Sequence, residues 1–473
     1  HPARPRPKPD RPPPDLHQPW RWAMTGGTIA RVPGALPLIG HTGAFLKSPL
    51  EFLKGLSAHG ELVELRFGRK RVLVVCDPDL TQEMLRRDRV YDKGGPIYDR
   101  MREAAGNGLA TCPSRDHRRQ RRTIQPAFHH SRLPGYARTM TEVIDEAVRG
   151  WDGPEVDLCH ETRSIASSVL LTTLFGTAFA PEARDALARD LETILRGGLR
   201  RAVLPEALSA LPTPANLRYQ RARRRARGMM ADLIRAVRAG DGSGDSLFAT
   251  LVNQHGAGTG DLPMTDEELV DQAITMYVAG TETTAGVVCW ALHLAAQHPQ
   301  AGRRLADECR SVLGHRAATW EDLPHLPYTR QTLLEALRLN PPGWLITRLT
   351  TTDDARLGDH AVPRGSTIVY SAYLLSRLPA RYEEPEHFAP ERWAPGTMGA
   401  KVPDGVFGGG ARKCIGDEYA LIEGVLMLAT ITARWDVRTA PDAPKRPHLP
   451  ALTLNPTRLM ATVTPAAAPD GSR

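Results

Sequence analysis

Residues 407–416 read FGGGARKCIG and combine a thiol, a guanidinium and a run of three glycines. Because glycine has no Cβ, its backbone can lie close to a flat, bulky ligand, and Arg412 offers a planar pair of donors for a carboxylate. Cys414 comes just before a predicted helix over residues 417–433. A helix N-terminus lowers the pKa of a thiol and directs amide hydrogens at its sulfur, so Cys414 is a candidate thiolate. A buried structural cysteine is the ordinary alternative.

A second candidate site lies inside the longest predicted helix, which covers residues 265–297. Thr265 and Glu268 have the spacing of a capping box at its start, and Pro299 ends it. Beyond the first two turns, the only charged side chain in this helix is Glu282. A carboxylate in the middle of a bilayer is costly, which favours a helix buried inside the protein over a membrane span. The buried acid then needs a chemical role.

Other charged residues stand at spacings that permit pairing. Glu335 and Arg338 are three apart in LLEALRLNPP, and Arg392 follows in ERW. By itself such a Glu–Arg pair is an ordinary solvated pair worth a few tenths of a kcal/mol. The run HRRQRR at 117–122 indicates a basic, solvated helix face. The six arginines of residues 218–228 indicate the same, with contact to a membrane surface as an alternative.

The composition is typical of a globular protein. With 41% hydrophobic and 24% charged residues among 473, global disorder is excluded. Six cysteines without a CxxC pair exclude a disulfide scaffold, a zinc ribbon and a covalently attached c-type haem. The net charge of +8 is mild, and no interleaved basic and aromatic motif indicates nucleic acid binding. Eight prolines in the first 23 residues predict a disordered tail rather than a signal peptide or membrane anchor.

The pattern of elements predicts a mainly α protein with a smaller β portion. Two β-branched runs around a short turn predict a hairpin over 61–68 and 70–78. Helical signals then dominate, and further helices are predicted over 79–87, 114–125, 136–151, 163–174, 181–195 and 218–239. Extended segments return late in the chain, over 345–353, 356–371 and 448–465. No linker divides the chain, so we expect a single domain over 31–465, with tails at 1–30 and 466–473.

The loop at 407–416 resembles the haem-ligand loop of the cytochrome P450 monooxygenases. The positions that match the family's pattern are Phe407, Gly410, Arg412, Cys414 and Gly416. The resemblance implies the cytochrome P450 fold, an α-rich domain with a long central helix plus a small β-rich N-terminal subdomain. It also implies haem b held by the Cys414 thiolate, and insertion of one oxygen atom from O₂ into the substrate.

In the long helix, AGTETT at 279–284 resembles the family's oxygen-activation segment. The resemblance assigns Gly280 to a helix face that stays clear for O₂. Thr283 would donate a hydrogen bond to the carbonyl four residues earlier, which can open the helix locally and admit water. Glu282 would feed protons to Thr283 through that water. Helix-compatible threonines in an ordinary buried helix are the alternative.

The same resemblance gives roles to the charged residues. It assigns the haem propionates to His117, Arg121, Arg348 and Arg412. It joins three residues into a buried ion network that holds the haem-ligand loop: Glu335, Arg338 and Arg392. The remaining cations would form a positive surface for a small acidic electron carrier: Arg118, Arg119, Arg122 and Lys413.

Three segments, at 91–99, 117–137 and 408–417, are similar to the sesquiterpene oxygenases of actinobacteria. Such a substrate offers no polar group, so its recognition would depend on shape and apolar area. By position relative to the motifs, the resemblance implies that the substrate-binding residues are Ile97, Leu109, Ala279, Trp344, Leu345, Ile346 and Leu454. The indole of Trp344 could equally pack in the core.

We therefore expect a haem-thiolate monooxygenase that oxidises an apolar small molecule, a sesquiterpene or other terpenoid such as pentalenene, in secondary metabolism. Residues 256–260, GAGTG, lack the spacing of a phosphate-binding fingerprint. Electrons from NAD(P)H would then arrive through a ferredoxin and a ferredoxin reductase, in the cytoplasm. A fatty-acid or macrolide hydroxylase and a non-catalytic haem-thiolate sensor are the alternatives. A terpene cyclase is a weaker one, because Leu357 stands where a third magnesium-binding aspartate would follow Asp353 and Asp354.

Overall fold

The computed structural model describes residues 29–176, 180–203, 211–240, 246–253, 264–398, 402–440 and 453–466. Helices dominate these residues and strands are fewer, which confirms the mainly α fold with a smaller β portion. The predicted tail at 1–30 and the segment 256–260 lie outside the described residues, apart from residues 29 and 30. The predicted tail at 466–473 also lies outside them, apart from Ala466.

Helices and strands are numbered here in chain order. The helices are α1 (Thr42–Lys47), α2 (Pro49–Lys54), α3 (Pro78–Arg86), α4 (Pro96–Ala105), α5 (Ser114–Ile124), α6 (Leu133–Arg149), α7 (Leu158–Phe175), α8 (Pro181–Val203), α9 (Pro214–Ala239), α10 (Leu247–Asn253), α11 (Asp266–Gln297), α12 (Pro299–Leu313), α13 (Pro327–Leu339), α14 (Ala372–Leu375) and α15 (Asp417–Arg434). The strands are β1 (Ala30–Arg31), β2 (Leu62–Phe67), β3 (Lys70–Val75), β4 (Tyr91–Asp92), β5 (Glu155–Asp157), β6 (Ile346–Thr350), β7 (Arg356–Leu357), β8 (His360–Ala361), β9 (Thr367–Tyr370), β10 (Trp435–Thr439) and β11 (Met460–Pro465).

The main sheet has six strands in the order β1-β2-β3-β9-β6-β4. Strands β2 and β3 form the predicted antiparallel hairpin, with Leu62 opposite Val75. Strand β9 joins β3 in parallel, and β6 pairs antiparallel with β9. The β portion therefore combines N-terminal strands with two strands from the second half of the chain. A separate three-stranded sheet has the order β10-β11-β5.

The buried apolar side chains of the described residues form two clusters. The larger one lies among the helices, and the smaller one, the β-side core, lies against the main sheet. Helix α11 contributes many residues to the larger cluster and packs against α7, α9, α13 and α15. Because α15 begins just after Cys414, this packing brings the cysteine loop and the central helix to neighbouring positions in the molecule.

The long helix begins and ends where the sequence predicts. Thr265 Oγ1 accepts a hydrogen bond from the Glu268 amide at 3.2 Å, and Glu268 Oε2 accepts one from the Thr265 amide at 2.9 Å. Pro299, which ends the helix, is also the first residue of α12. Most side chains of α11 are buried, as expected for a helix that is apolar on most sides. In the part of the chain that the structure describes, no helix is long and apolar enough to cross a membrane.

Several predicted extended segments are shorter than expected. Residues 356–371 do not form one strand, because turns at Gly358 and Gly365, with φ of 53° and 81°, divide them into β7, β8 and β9. Of residues 448–465, only Met460–Pro465 is a strand, and residues 448–452 lie outside the described residues. Pro456 has no amide hydrogen for a sheet ladder, which is consistent with the irregular path before β11.

The burial of His293 on α11 predicts a pH dependence of stability. Burial, with a smaller contribution from His298, lowers the pKa of His293 to about 4. Below pH 6.5 the unfolded chain takes up a proton that the folded protein does not, so the free energy of unfolding falls as the pH falls from about 6.5 towards 4. The slope is at most about 1.4 kcal/mol per pH unit. Urea unfolding at several pH values measures this fall, and His293→Asn should lack the part of it that comes from His293.

The matched control for this experiment is His59→Asn, because His59 is exposed. That variant should keep the pH dependence of the wild type. An identical pH dependence for His293→Asn and the wild type would contradict the assignment.

Candidate active site

The cysteine loop is held in one backbone conformation by a hydrogen bond and two left-handed glycines. The Cys414 amide donates to the Phe407 carbonyl at 2.8 Å. Gly408 and Gly410 have φ values of 69° and 60°. A Cβ on Gly410 would lie 2.2 Å from the Leu85 carbonyl oxygen, so only glycine fits at this close approach. The loop is thereby fixed against the end of α3.

The Cys414 thiol differs from the other five cysteines, which are buried. Cys414 is exposed, yet protein surrounds most of its thiol, so we describe its position as a recess. Burial raises its pKa, and the Gly416 amide, which donates a hydrogen bond to it, acts in the opposite direction. Arg121 and Lys413 also lower the pKa of this thiol. The sulfur is thus an accessible ligand atom with donors and cations around it.

Positive groups cluster near this recess. Burial lowers the pKa of His117 to about 3, and four neighbouring cations lower it further: Arg412, Lys93, Arg121 and Arg348. The structure therefore brings together all four residues that the resemblance assigns to the haem propionates. It adds Lys93, whose pKa is lowered to about 7 by burial and by the nearby Arg348 and Arg412. No pattern in the sequence singled out Lys93.

Each of these cations is also fixed by the protein. Arg412 donates to Asp92 Oδ1 at 2.7 Å and to the Cys112 carbonyl at 2.8 Å. Arg121 donates to the Lys413 carbonyl at 2.6 Å, which connects α5 to the cysteine loop. Lys93 Nζ donates to the Ala110 carbonyl at 2.8 Å. The cluster is therefore held in place by contacts from several elements.

The residues of this recess fit haem b. Burial and then neighbouring cations lower the pKa values of His117 and Lys93, so positive groups repel one another here, although Asp92 and Asp88 pair with Arg412. A flat ligand with two carboxylates would relieve this repulsion. An accessible sulfur on the same loop is a suitable ligand for its iron. The charge and the donor set therefore match a haem with two propionates.

The segment 279–284 of α11 also has unusual exposure. Ala279 is exposed and Gly280 is partly exposed, although most of the helix is buried. Thr283 Oγ1 donates a hydrogen bond to the Ala279 carbonyl at 2.5 Å, the contact expected from the sequence. A Cβ on Gly280 would lie 2.8 Å from Leu170 Cδ2 on α7, so a larger residue would push against that helix.

Glu282 has two partners that the sequence did not reveal. Arg163 Nε on α7 lies 3.0 Å from Glu282 Oε1 in an ion pair. Asn455, which precedes β11, places Nδ2 2.5 Å from the Glu282 carbonyl oxygen and 3.5 Å from Oε2. Both partners are far from Glu282 in sequence and belong to no motif, so only the fold could identify them.

The three charged residues expected to form an ion network lie together in the interior. Glu335 and Arg338 have no exposed side-chain surface, and two Arg338 nitrogens donate to the carboxylate at 2.7 and 2.9 Å. Arg392 Nε lies 3.6 Å from Glu335 Oε1, and Trp393 Nε1 donates to Oε2 at 2.9 Å. Arg338 also donates to three backbone carbonyls of the segment 376–387. The network thus fixes the chain that leads towards the cysteine loop.

The residues expected to bind substrate have different surroundings in the structure. Ala279 is exposed on α11, Leu109 is buried in the larger core, and Ile97 is 45% exposed at the start of α4. Trp344 and Leu454 are buried in the β-side core, and Leu345 and Ile346 are partly buried against it. The indole of Trp344 thus packs in the core, which is the alternative to substrate contact that the sequence left open.

The basic surface expected next to the cysteine loop is less positive than the sequence predicts. Arg119 forms an ion pair with Glu268, the capping residue of α11, instead of standing alone. Lys413 Nζ lies 2.5 Å from Asp417 Oδ2 at the start of α15. Glu268 could not be assigned to Arg119 from the sequence, because it is distant in the chain and comes close only when α5 meets α11, whereas Asp417 is four residues from Lys413.

The ion network predicts a large difference between two glutamates. Glu335→Gln should lower the free energy of unfolding by about 3–5 kcal/mol, because it leaves Arg338 buried without its charged partner. Glu391→Gln is the matched control, since Glu391 pairs with Arg304 but is 54% exposed, and it should cost less than about 1 kcal/mol. Urea unfolding measures both. Equal losses in the two variants would contradict the buried network.

Comparisons with known proteins agree with the geometry. Residues 31–463 match the family model described as Cytochrome P450. The chain is 41% identical over 435 residues to pentalenene oxygenase of Streptomyces avermitilis, covering 91% of this chain and 96% of that protein. It is 40% identical over 438 residues to cyclooctatin synthase of Streptomyces melanosporofaciens, covering 90% of this chain and 94% of that protein.

Among solved structures, the crystal structure of the cytochrome P450DA heme domain matches with a TM-score of 0.82. The match covers 94% of this chain and 99% of that one at 23% sequence identity, which shows the shared fold. The chain therefore belongs to the cytochrome P450 family, and it is an oxygen-incorporating oxidoreductase that uses haem b, O₂ and electrons from NAD(P)H through redox partners to oxidise a hydrophobic substrate.

Proposed function

We propose that this enzyme inserts one oxygen atom into an apolar cyclic terpenoid in secondary metabolism. The observation that carries the proposal is the 41% identity to a relative named pentalenene oxygenase, over 91% of the chain. Another relative, at 39% identity over 88% of the chain, is named cyclooctat-9-en-7-ol 5-monooxygenase. Three relatives with related names and near-complete coverage favour a substrate of the same chemical class.

The cysteine loop and its surroundings would hold the cofactor. In this proposal Cys414 binds the iron through its thiolate, and Phe407 and Gly416 shape the loop around the sulfur. The propionates are bound by His117, Arg121, Arg348 and Arg412, with Lys93 as a fifth group. Haem bound there would supply the site at which O₂ is activated. The charge cluster around His117 supports this assignment.

The segment of α11 would supply protons and space. Thr283 holds its hydroxyl against the Ala279 carbonyl, 2.5 Å away, and can pass a proton from that position. Glu282 is the proposed acid that replenishes it through water. The resemblance gives Gly280 a helix face that stays clear for O₂, but a Cβ there would lie 2.8 Å from Leu170 Cδ2, so its observed part is to let α11 approach α7 closely. These roles use groups that lie within about one turn of the same helix.

Substrate recognition would depend on shape and apolar contact, because a terpenoid hydrocarbon offers few polar atoms. Ala279 is the best supported contact, since it is exposed in an otherwise buried helix. The other proposed contacts are Ile97, Leu109, Leu345, Ile346 and Leu454. Trp344 would act indirectly, by packing in the core beside Leu345, Ile346 and Leu454.

We further propose a ferredoxin with its reductase as the electron source. The exposed cations Arg118 and Lys413 provide a surface for an acidic partner, although Lys413 is paired with Asp417. We propose one domain over residues 31–465, because helix α11 packs against helices from both halves of the chain. A cytoplasmic location is consistent with six cysteines that are all unpaired.

The substrate proposal predicts the outcome of a ligand panel. Ferric, haem-loaded protein is titrated with a cyclic sesquiterpene, a fatty acid and a macrolide, and the Soret band is followed. The sesquiterpene should shift the band towards the substrate-bound form at a concentration at least about tenfold lower than the others, because apolar area drives its binding. Addition of NAD(P)H, ferredoxin, reductase and isotope-labelled O₂ should then give a product with one labelled oxygen.

Other outcomes of the panel point to the alternatives. A shift only with the fatty acid or the macrolide would contradict the terpenoid class. A shift with no oxidised product under any condition would indicate a binding protein without turnover.

The proton supply predicts uncoupling in Thr283→Ala. Without the hydroxyl, product formed per NAD(P)H consumed should fall by about tenfold or more, at the lower end of general acid–base effects. Thr193→Ala is the matched control, because Thr193 makes the same bond to the carbonyl four residues earlier on the exposed face of α8. The ratio of product to NAD(P)H measures both variants. Full coupling in Thr283→Ala would refute the assigned role.

A further inference from the structure

The segment before β11 inserts one side chain against the central helix at the position of the proposed acid. Asn455 Nδ2 lies 2.5 Å from the Glu282 carbonyl oxygen. In a regular α-helix that oxygen accepts the amide four residues later, which here belongs to Gly286. The carboxamide therefore provides the carbonyl with a second donor from a distant part of the chain.

Gly286 makes this approach possible. A Cβ at position 286 would lie 1.7 Å from Asn455 Oδ1 and 2.2 Å from Cγ, much closer than atoms can approach. The carboxamide thus lies directly against the helix backbone, between the turns of Glu282 and Gly286. Any other residue at 286 would displace Asn455.

A second contact holds the same segment to α11. Trp290 Nε1 donates to the Leu454 carbonyl at 2.8 Å. The two attachment points, Glu282 and Trp290, are about two helical turns apart. Because Leu454 and Asn455 are consecutive, a short stretch of the C-terminal segment is fixed along the helix at both points.

The side chain of Glu282 is confined from two sides. Arg163 Nε on α7 lies 3.0 Å from one carboxylate oxygen. Asn455 Nδ2 lies 3.5 Å from the other. Arg163 supplies a positive charge to the carboxylate. Asn455 supplies a neutral donor, which also contacts the main chain of Glu282. Asn455 therefore contacts both the backbone and the carboxylate of Glu282, whereas the ion pair of Arg163 is with the carboxylate.

We propose that Asn455 is a positioning residue for Glu282, and that it determines how efficiently electrons are coupled to product. By fixing both the carbonyl and the carboxylate of Glu282, it sets the orientation from which this acid supplies protons to Thr283. The inference rests on the proposed role of Glu282 in proton supply. It assigns a function to a residue outside every motif of the sequence.

The test compares variants that break the contact in different ways. Asn455→Ala removes the carboxamide, and Gly286→Ala displaces it while leaving Asn455 in the chain. Trp290→Phe is the matched control, because it releases the same segment at its other attachment point without touching Glu282. Glu282→Gln, alone and combined with Asn455→Ala, shows whether the effect passes through the acid. The haem-loaded enzyme is used throughout.

Three quantities are measured for each variant. Product formed per NAD(P)H consumed gives the coupling, and the Soret titration with substrate gives the dissociation constant. Hydrogen exchange of the backbone amides of residues 282–290 reports the helix itself and requires no turnover. A merely structural role of Asn455 would lower substrate affinity and coupling together.

The proposal predicts a specific pattern. Asn455→Ala and Gly286→Ala should each lower coupling by about threefold or more, since small displacements of a catalytic group have large effects. Substrate affinity should change by less than about twofold, and amides near residue 286 should exchange faster. Trp290→Phe should retain coupling. Asn455→Ala should have no further effect in the Glu282→Gln background.

Three results would overturn the proposal, and they separate it from the role of Glu282. If Glu282→Gln loses coupling but Asn455→Ala keeps it, the positioning role is wrong and the acid role stands. If Glu282→Gln keeps full coupling, the acid role itself is wrong, and with it this inference. Equal loss of coupling in Trp290→Phe and Asn455→Ala would assign the effect to the segment as a whole.

Discussion

The position of one sulfur atom governs the arrangement of this molecule. Cys414 is exposed while the other five cysteines are buried, and it lies on a loop that is held in one conformation. That loop depends on Gly410, where any Cβ would collide with the Leu85 carbonyl oxygen, and on the bond from the Cys414 amide to Phe407. Helix α15 begins just beyond it and packs against α11. This packing brings α11, which carries the segment 279–284, next to the loop that carries the sulfur.

Two groups of buried charge in this structure serve opposite purposes. The Glu335 network is neutralised within the protein, since its carboxylate accepts two donors from Arg338 and one from Trp393. It stabilises the fold near the loop. In the cluster around His117, burial and then neighbouring cations lower the pKa values of His117 and Lys93. Such a cluster is destabilising by itself, so it is best understood as a binding site for a dianion.

Much of the site could be predicted from the sequence, because its residues lie in short motifs. The cysteine loop, the capping box at Thr265 and the contact from Thr283 to Ala279 are all local, and local spacing determines them. The partners of these residues could not be predicted in the same way. Arg163 and Asn455 reach Glu282 from distant parts of the chain, and Arg119 meets Glu268 only after two helices pack. The mainly α class followed from periodicity and the cytochrome P450 fold from the resemblance of the cysteine loop, whereas the short strands after residue 356 depended on turns at Gly358 and Gly365.

The most direct test of the account is the absorption spectrum of the reduced protein with bound carbon monoxide. We predict that the freshly prepared, haem-loaded wild type shows the long-wavelength Soret band of a thiolate-ligated haem, and that Cys414→Ser loses it. Cys112→Ala should keep the band, although Cys112 Sγ lies 4.0 Å from Arg412 and is a thiol near the same cluster. A wild type without the long-wavelength band, or a Cys414→Ser variant that retains it, would contradict the central claim that this sulfur binds the iron.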